Sequence, residues 1–120
     1  MNLGGFLEIE MGNDIGVCVL LSAYKPDLKF FAEQLDSIDK QTFPLTLLVR
    51  NDCPESDSLE RFIQAHITKN AYRYYHGDNN LGYVKSFEAL LSLAEGDYVY
   101  FAIRMIFGSL IELKFRSTIC

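Results

Sequence analysis

Three short polar stretches in this 120-residue chain each follow a strand-like run, and together they gather a tyrosine ring, at least one carboxylate and several amides. The first is Ser22-Ala23-Tyr24-Lys25, the second Arg50-Asn51-Asp52-Cys53-Pro54, and the third His76-Gly77-Asp78-Asn79-Asn80. A tyrosine ring at such a place can stack on a flat heterocycle. Asp52 can accept a hydrogen bond from a ring N–H, of the kind uracil and thymine offer. Lys85, a few residues past the third stretch, can face a diphosphate. Each also has a purely structural reading: rim packing for Tyr24, an Asx-turn for Asp52, a solvated helical amine for Lys85.

The elements that position these residues follow from the hydrophobic pattern. Val17–Leu21, Leu45–Val49, Ala71–Tyr75 and Tyr98–Phe101 read as strands, the first two as continuous apolar runs suited to burial on both faces. Pro26 stands at the first turn of a helix with Leu28, Phe31, Leu35 and Ile38 at helical spacing. A second helix, capped by Ser56 or Asp57, turns Leu59, Phe62, Ile63 and Ile67 inward. A third follows Asn80-Leu81-Gly82 with Val84, Phe87, Leu90, Leu91 and Ala94 inward, and Gly96-Asp97 ends it. The order β-α-β-α-β-α-β predicts an α/β fold with a mostly parallel sheet and helices on both faces. In such sheets ligands bind beyond the carboxyl ends of the strands, where the three polar stretches fall.

Bulk properties narrow the classes. The length allows one domain at most, and 49% hydrophobic residues suffice for a core. A net charge of -5 argues against a nucleic-acid partner. No apolar run approaches the roughly 18 residues a membrane helix needs. The N-terminal MNLGGFLEIEMGNDIG has neither the basic nor the long apolar region of a secretion signal, and Met11 is a candidate start. Three cysteines without a CxxC pair fit a reduced, cytoplasmic setting, with Cys18 as core. His66 and His76 lack partners at metal-ligand spacing and read as surface residues. There is no GxGxxG and no GxxxxGK[ST], so neither a Rossmann dinucleotide site nor a P-loop is supported. No Ser-His-Asp or Cys-His arrangement suggests itself.

Taken together, the motifs resemble the family 2 glycosyltransferases, most closely bacterial rhamnosyltransferase-like members that build surface polysaccharides. VCVLLSAYKPDLKFFAEQLDSIDKQTFP is similar to the family's opening strand, S-x-Y and first helix. LTLLVRNDCPESD is similar to its second strand and D-D-G-S-x-D segment, and GDNNLGYVKSFEALLSLAEGDYVYFA to its N-x-G-x-x-K-S-F helix and following strand. The resemblance covers residues 15 to 102 and implies a GT-A fold. It also implies inverting transfer of a sugar from a nucleotide-diphosphate donor, UDP- or dTDP-linked, to a saccharide or lipid-linked acceptor. Carried over by position, Ser22 and Tyr24 line the nucleoside pocket, Asp52 pairs with the base and Lys85 lies near the donor. The first carboxylate of the D-D pair is Asn51 here, and the following G-S is Cys53-Pro54. The implied location is cytoplasmic, with peripheral association at the inner face of the membrane left open.

In this subgroup the fourth strand runs into D-Q-D-D-I-W, whose carboxylates hold Mg or Mn against the donor diphosphate. This chain reads Ile103-Arg104-Met105-Ile106-Phe107-Gly108 instead, so those ligands are absent. The codons GAT CAG GAT GAT ATT TGG encode D-Q-D-D-I-W. Without their first base they read ATC AGG ATG ATA TTT GG, which is I-R-M-I-F-G. The same shift applied to residues 109–115 permits E-P-N-R-I-E-I. Residues 1–14 are therefore read as an N-terminal extension and 15–102 as the nucleotide-sugar-binding part. Residues 103–120 are read as an out-of-frame tail, in a truncated chain without metal carboxylates or acceptor half and hence inactive. On that reading the sheet ends early. The rival is a native basic tail that docks on a membrane or partner. From other classes, a non-catalytic nucleotide-binding or scaffold module stays open. A receiver-type signalling domain would need an acidic pair where Ser22-Ala23-Tyr24 stands.

Overall fold

The computed structural model describes residues 16–56, 58–104 and 110–116. Met11 and the rest of the N-terminal extension, the Asp57 cap candidate, Cys120 and residues 105–109 of the tail lie outside the described residues.

Eight elements follow in the order β1 (Val17–Ala23), α1 (Leu28–Asp39), β2 (Thr46–Asn51), α2 (Leu59–His66), β3 (Ala71–His76), α3 (Tyr83–Leu91), β4 (Tyr98–Arg104) and β5 (Leu110–Arg116). They build one sheet in the order β3-β2-β1-β4-β5. The first four strands are parallel, with Leu20 of β1 beside Leu48 of β2 and Phe101 of β4. The expected alternating α/β architecture is thus present.

The strand pattern divides the core into two. Val19, Leu21, Leu47 and Val49 face α1 and α2, where they meet Phe31, Leu35 and Ile63. Cys18, Leu20, Leu48 and Val99 face α3 and meet Phe87 and Leu90. Strand residues two apart share a face, so continuous apolar runs feed both cores at once. Burial pushes the Cys18 thiol above its ordinary pKa, as befits a core residue.

Four details depart from the sequence reading. The sheet does not stop at β4: β5 pairs antiparallel with it, from Tyr98 opposite Arg116 to Arg104 opposite Leu110. Apolar residues at 111, 113 and 115 alternate with charged ones at 112, 114 and 116, the period of a strand rather than a helix. Pro26 precedes the first helix instead of opening it, and Asp27 is the N-cap, accepting from the N–H groups of Lys29 and Phe30. The N-cap of α2 is Ser58, which makes no side-chain capping bond. Val84 points outward, 65% exposed, because α3 turns Ser86, Phe87 and Leu90 to the sheet.

Between α2 and β3 the chain turns around Asp39. Its carboxylate accepts from the Thr68 N–H at 3.0 Å, the Thr68 hydroxyl at 3.2 Å, the Lys69 N–H at 3.2 Å and the Asn70 amide at 3.0 Å. Burial alone would raise its pKa, but these donors together hold it below its ordinary value.

Candidate functional site

The strand order reverses at β1: the chain steps outward to β2 and β3, then returns to place β4 on β1's other side. That reversal makes the carboxyl ends of β1 and β4 the switch point where open α/β sheets bind ligands. Ser22 and Ala23 lie at that end of β1, and Asn51 and Asp52 at the neighbouring end of β2. The backbone N–H of Asp52 donates to Ala23 O at 2.7 Å, which locks the two strand ends together.

A buried polar network fills this edge, and its centre is Arg50. The Arg50 side chain pairs with Asp52, donates from Nη2 to the Asn79 carbonyl at 3.2 Å and from Nη1 reaches Ser86 Oγ at 3.5 Å. Asp52, 2% exposed, also accepts from the N–H of Leu81 and the N–H of Gly82, each at 2.9 Å and each on a different carboxylate oxygen. The Arg50–Asp52 pair thereby pins the loop between β3 and α3. Ser86 is fully buried and accepts a 2.7 Å hydrogen bond from the Ser22 hydroxyl, which ties α3 to β1. A charge pair this buried is tolerated only when its remaining hydrogen-bonding capacity is met, and here the loop carbonyl and amides meet it.

Ser22 and Asp52 therefore belong to one network. Tyr24, 47% exposed, and the exposed Lys85 lie on the rim beyond it and are not hydrogen-bonded to it. Lys25 adopts φ 44°, a left-handed conformation unusual outside glycine, and its Nζ sits 5.4 Å from the centre of the Tyr24 ring. Asn51 is 1% exposed: its amide donates to Ser56 O at 2.7 Å and to the Tyr74 hydroxyl at 3.0 Å, and its carbonyl accepts from Cys53 N–H. It is fully engaged in holding the turn after β2. His76 bonds the Cys53 carbonyl at 2.9 Å, and His66 bonds Asp36 at 2.9 Å, so both histidines serve local structure.

The residues missed by sequence reasoning are Arg50 and Ser86. Arg50 lies two positions before Asp52, hence on the same side of the extended chain, at the end of a strand otherwise apolar. That placement was a usable signal for a buried pair. Ser86 precedes Phe87 on the inward face of α3.

Among the described residues no group of three or more His, Cys, Asp or Glu could hold a metal ion. At the carboxyl end of β4 the chain offers Ile103 and Arg104. These residue types offer no oxygen ligand and do not fit a divalent cation. A separate cleft of about 920 Å³ opens at the opposite edge, between Gly16, Phe43, Arg73, Glu95 and Tyr98. It lies at the amino ends of the strands, away from the polar network. Among the described residues no helix is long and apolar enough to cross a membrane.

No protein-family model matches the chain, and no curated protein matches it at a significant level. Solved structures do. The chain is similar to S. aureus TarS at 25% identity and a TM-score of 0.62, over 72% of this chain and 16% of that one. It is similar to TarS residues 1–349 in complex with UDP-GlcNAc at 26% identity and a TM-score of 0.63, over 73% of this chain and 26% of that one. The mannosyltransferase PcManGT from Pyrobaculum calidifontis, in complex with GDP-Man and Mn2+, matches at 20% identity and a TM-score of 0.62, over 75% of this chain and 27% of that one. These neighbours are GT-A glycosyltransferases, and the fold of this chain is theirs. The chain spans about a quarter or less of the length of the structures it matches.

Proposed function

We propose that this chain is the donor-binding part of a family 2 nucleotide-sugar glycosyltransferase of surface polysaccharide synthesis, rhamnosyltransferase-like and inactive as it stands. The observation that carries the reading is the coincidence of the switch point, the Ser22–Ser86 and Arg50–Asp52 network, and the motif order of that family on one edge of a GT-A sheet. Ser22 and Tyr24 line the nucleoside side, Asp52 reads the base, and Lys85 faces the diphosphate. The donor is a UDP- or dTDP-linked sugar, and the acceptor a saccharide or a lipid-linked glycan. The location that goes with this reading is the cytoplasm, with peripheral association at the inner face of the membrane left open.

In an intact member of that family, carboxylates following the fourth strand would hold Mg or Mn, which would supply positive charge against the departing diphosphate. Here the sequence positions that would carry those carboxylates hold Ile103-Arg104-Met105-Ile106. A chain without that charge stabilisation lacks the largest electrostatic contribution to the transfer. The frame shift after Ala102 accounts for this substitution and for residues 103–120. Nucleotide binding without turnover, as in a non-catalytic module, is the second reading, and the retained Asp52 favours it over a chain with no ligand at all.

The test is a DNA read across the codons for Ala102 and Ile103, followed by assay of the frame-restored protein for nucleoside diphosphate release from UDP- and dTDP-sugars. The reading predicts that one added base restores D-Q-D-D-I-W and that only the restored protein turns over. An intact gene with no meaningful shifted frame, or turnover by the 120-residue chain itself, would overturn it.

A further inference from the structure

We propose that Arg50 is the specificity-determining residue of the base subsite: it leaves Asp52 one acceptor position, which admits uracil or thymine and refuses guanine. The inference rests on the reading of Asp52 as the base-reading carboxylate.

An ionised carboxylate has about four acceptor positions, two on each oxygen. Among the described residues, Asp52 Oδ1 receives both an Arg50 N–H and the Leu81 N–H. That oxygen is saturated. Oδ2 receives the Gly82 N–H alone, and that N–H is shared with Asn80 Oδ1 at 3.1 Å. One acceptor position therefore remains, on Oδ2.

Uracil and thymine present a single ring N–H between two carbonyl oxygens, which one acceptor satisfies. Guanine presents a ring N–H and an exocyclic amine side by side, which needs an acceptor on each carboxylate oxygen. With Oδ1 occupied, one guanine donor would be buried against the Arg50 cation without a partner. An unmatched buried donor of that kind costs about 10- to 100-fold in affinity.

Arg50 cannot step aside to make room. It is 8% exposed, held by the Asn79 carbonyl on one side and Ser86 on another, and its guanidinium lies against Gly77. Ser86 is in turn held by Ser22, so the occupied oxygen is fixed from β1, β2 and α3 together.

The test is a chemical-shift titration of the 120-residue chain with UMP, N3-methyl-UMP and GMP, on the wild type and on Arg50→Met. In the wild type, UMP is expected to bind at least about tenfold tighter than GMP, and N3-methylation to remove at least about tenfold. In a folded Arg50→Met, the UMP preference over GMP is expected to shrink to within about threefold, the freed oxygen now accepting the second guanine donor. Wild-type binding of GMP as tight as UMP overturns the inference, as does a folded Arg50→Met that keeps the full preference. If Arg50→Met does not fold, the wild-type comparison decides. N3-methyl-UMP binding as well as UMP, or no shifts with any nucleotide, overturns the base-reading role of Asp52 itself and the inference with it.

Discussion

Gly77 and Arg50 share one volume: a Cβ added to residue 77 would overlap Arg50 Nη2. The glycine at the end of β3 is therefore the seat of the guanidinium that closes the polar network. Gly77→Ala is expected to displace Arg50 from Asp52 and from the Asn79 carbonyl. The loss should be roughly 3 kcal/mol of stability, the order seen when a buried pair is broken. Urea denaturation of the two proteins checks it. A Gly77→Ala chain within about 0.5 kcal/mol of wild type would mean that Arg50 relocates without cost.

The 2.7 Å bond between the hydroxyls of Ser22 and Ser86 joins β1 to α3 beneath the rim. Ser86→Ala should cost about 1–2 kcal/mol, because it strips a partner from Ser22 and from Arg50. In a double-mutant cycle with Ser22→Ala, a coupling of about 1 kcal/mol is expected between the two. Additive losses would show that the hydroxyls are independently solvated.

Asp39 ties the end of α1 to the turn before β3 and titrates below its ordinary value. A depressed folded pKa means that the contribution is present above the unfolded pKa of about 3.9 and is lost as pH falls through the folded one. Asp39→Asn should destabilise by roughly 1–3 kcal/mol at pH 7, with the gap to wild type closing below about pH 4. Denaturation midpoints of both proteins between pH 7 and pH 3 give the answer. A gap that stays constant across that range would remove the carboxylate charge from the account.

Two exposed rim residues should affect ligands without affecting stability. Tyr24→Ala should change unfolding free energy by less than about 0.5 kcal/mol yet weaken UMP binding about tenfold, the order of one base–aromatic stack. Lys85→Ala should weaken UDP but not uridine, and the UDP effect should fade as salt rises. Equal losses for UDP and uridine would place Lys85 off the phosphate path.

The sheet and the position of its polar edge were legible because β1 and β2 are short apolar runs followed by polar turns. Ser22 and Asp52 were visible for that reason, one and three residues past the apolar runs that end at Leu21 and Val49. What was not legible depended on tertiary partners. Arg50 could not be matched to Asn79 and Ser86 before the loop from β3 was folded over it. The inward face of α3 was misplaced at Val84 because several apolar residues in that helix compete for two faces, and the buried Ser86 decides which turns in. Residues 110–116 pair as a strand because their apolar period is two, a signal that neither the out-of-frame reading nor the docking-tail reading uses.

The most direct measurement of the central claim is an amide chemical-shift map of the 120-residue chain with UDP. The account predicts shifts confined to Ser22, Tyr24, Asp52, Leu81, Gly82 and Lys85, at the carboxyl edge of the sheet. Shifts centred on Cys18, Arg73 and Tyr98 at the amino edge, or none at millimolar UDP, would contradict it.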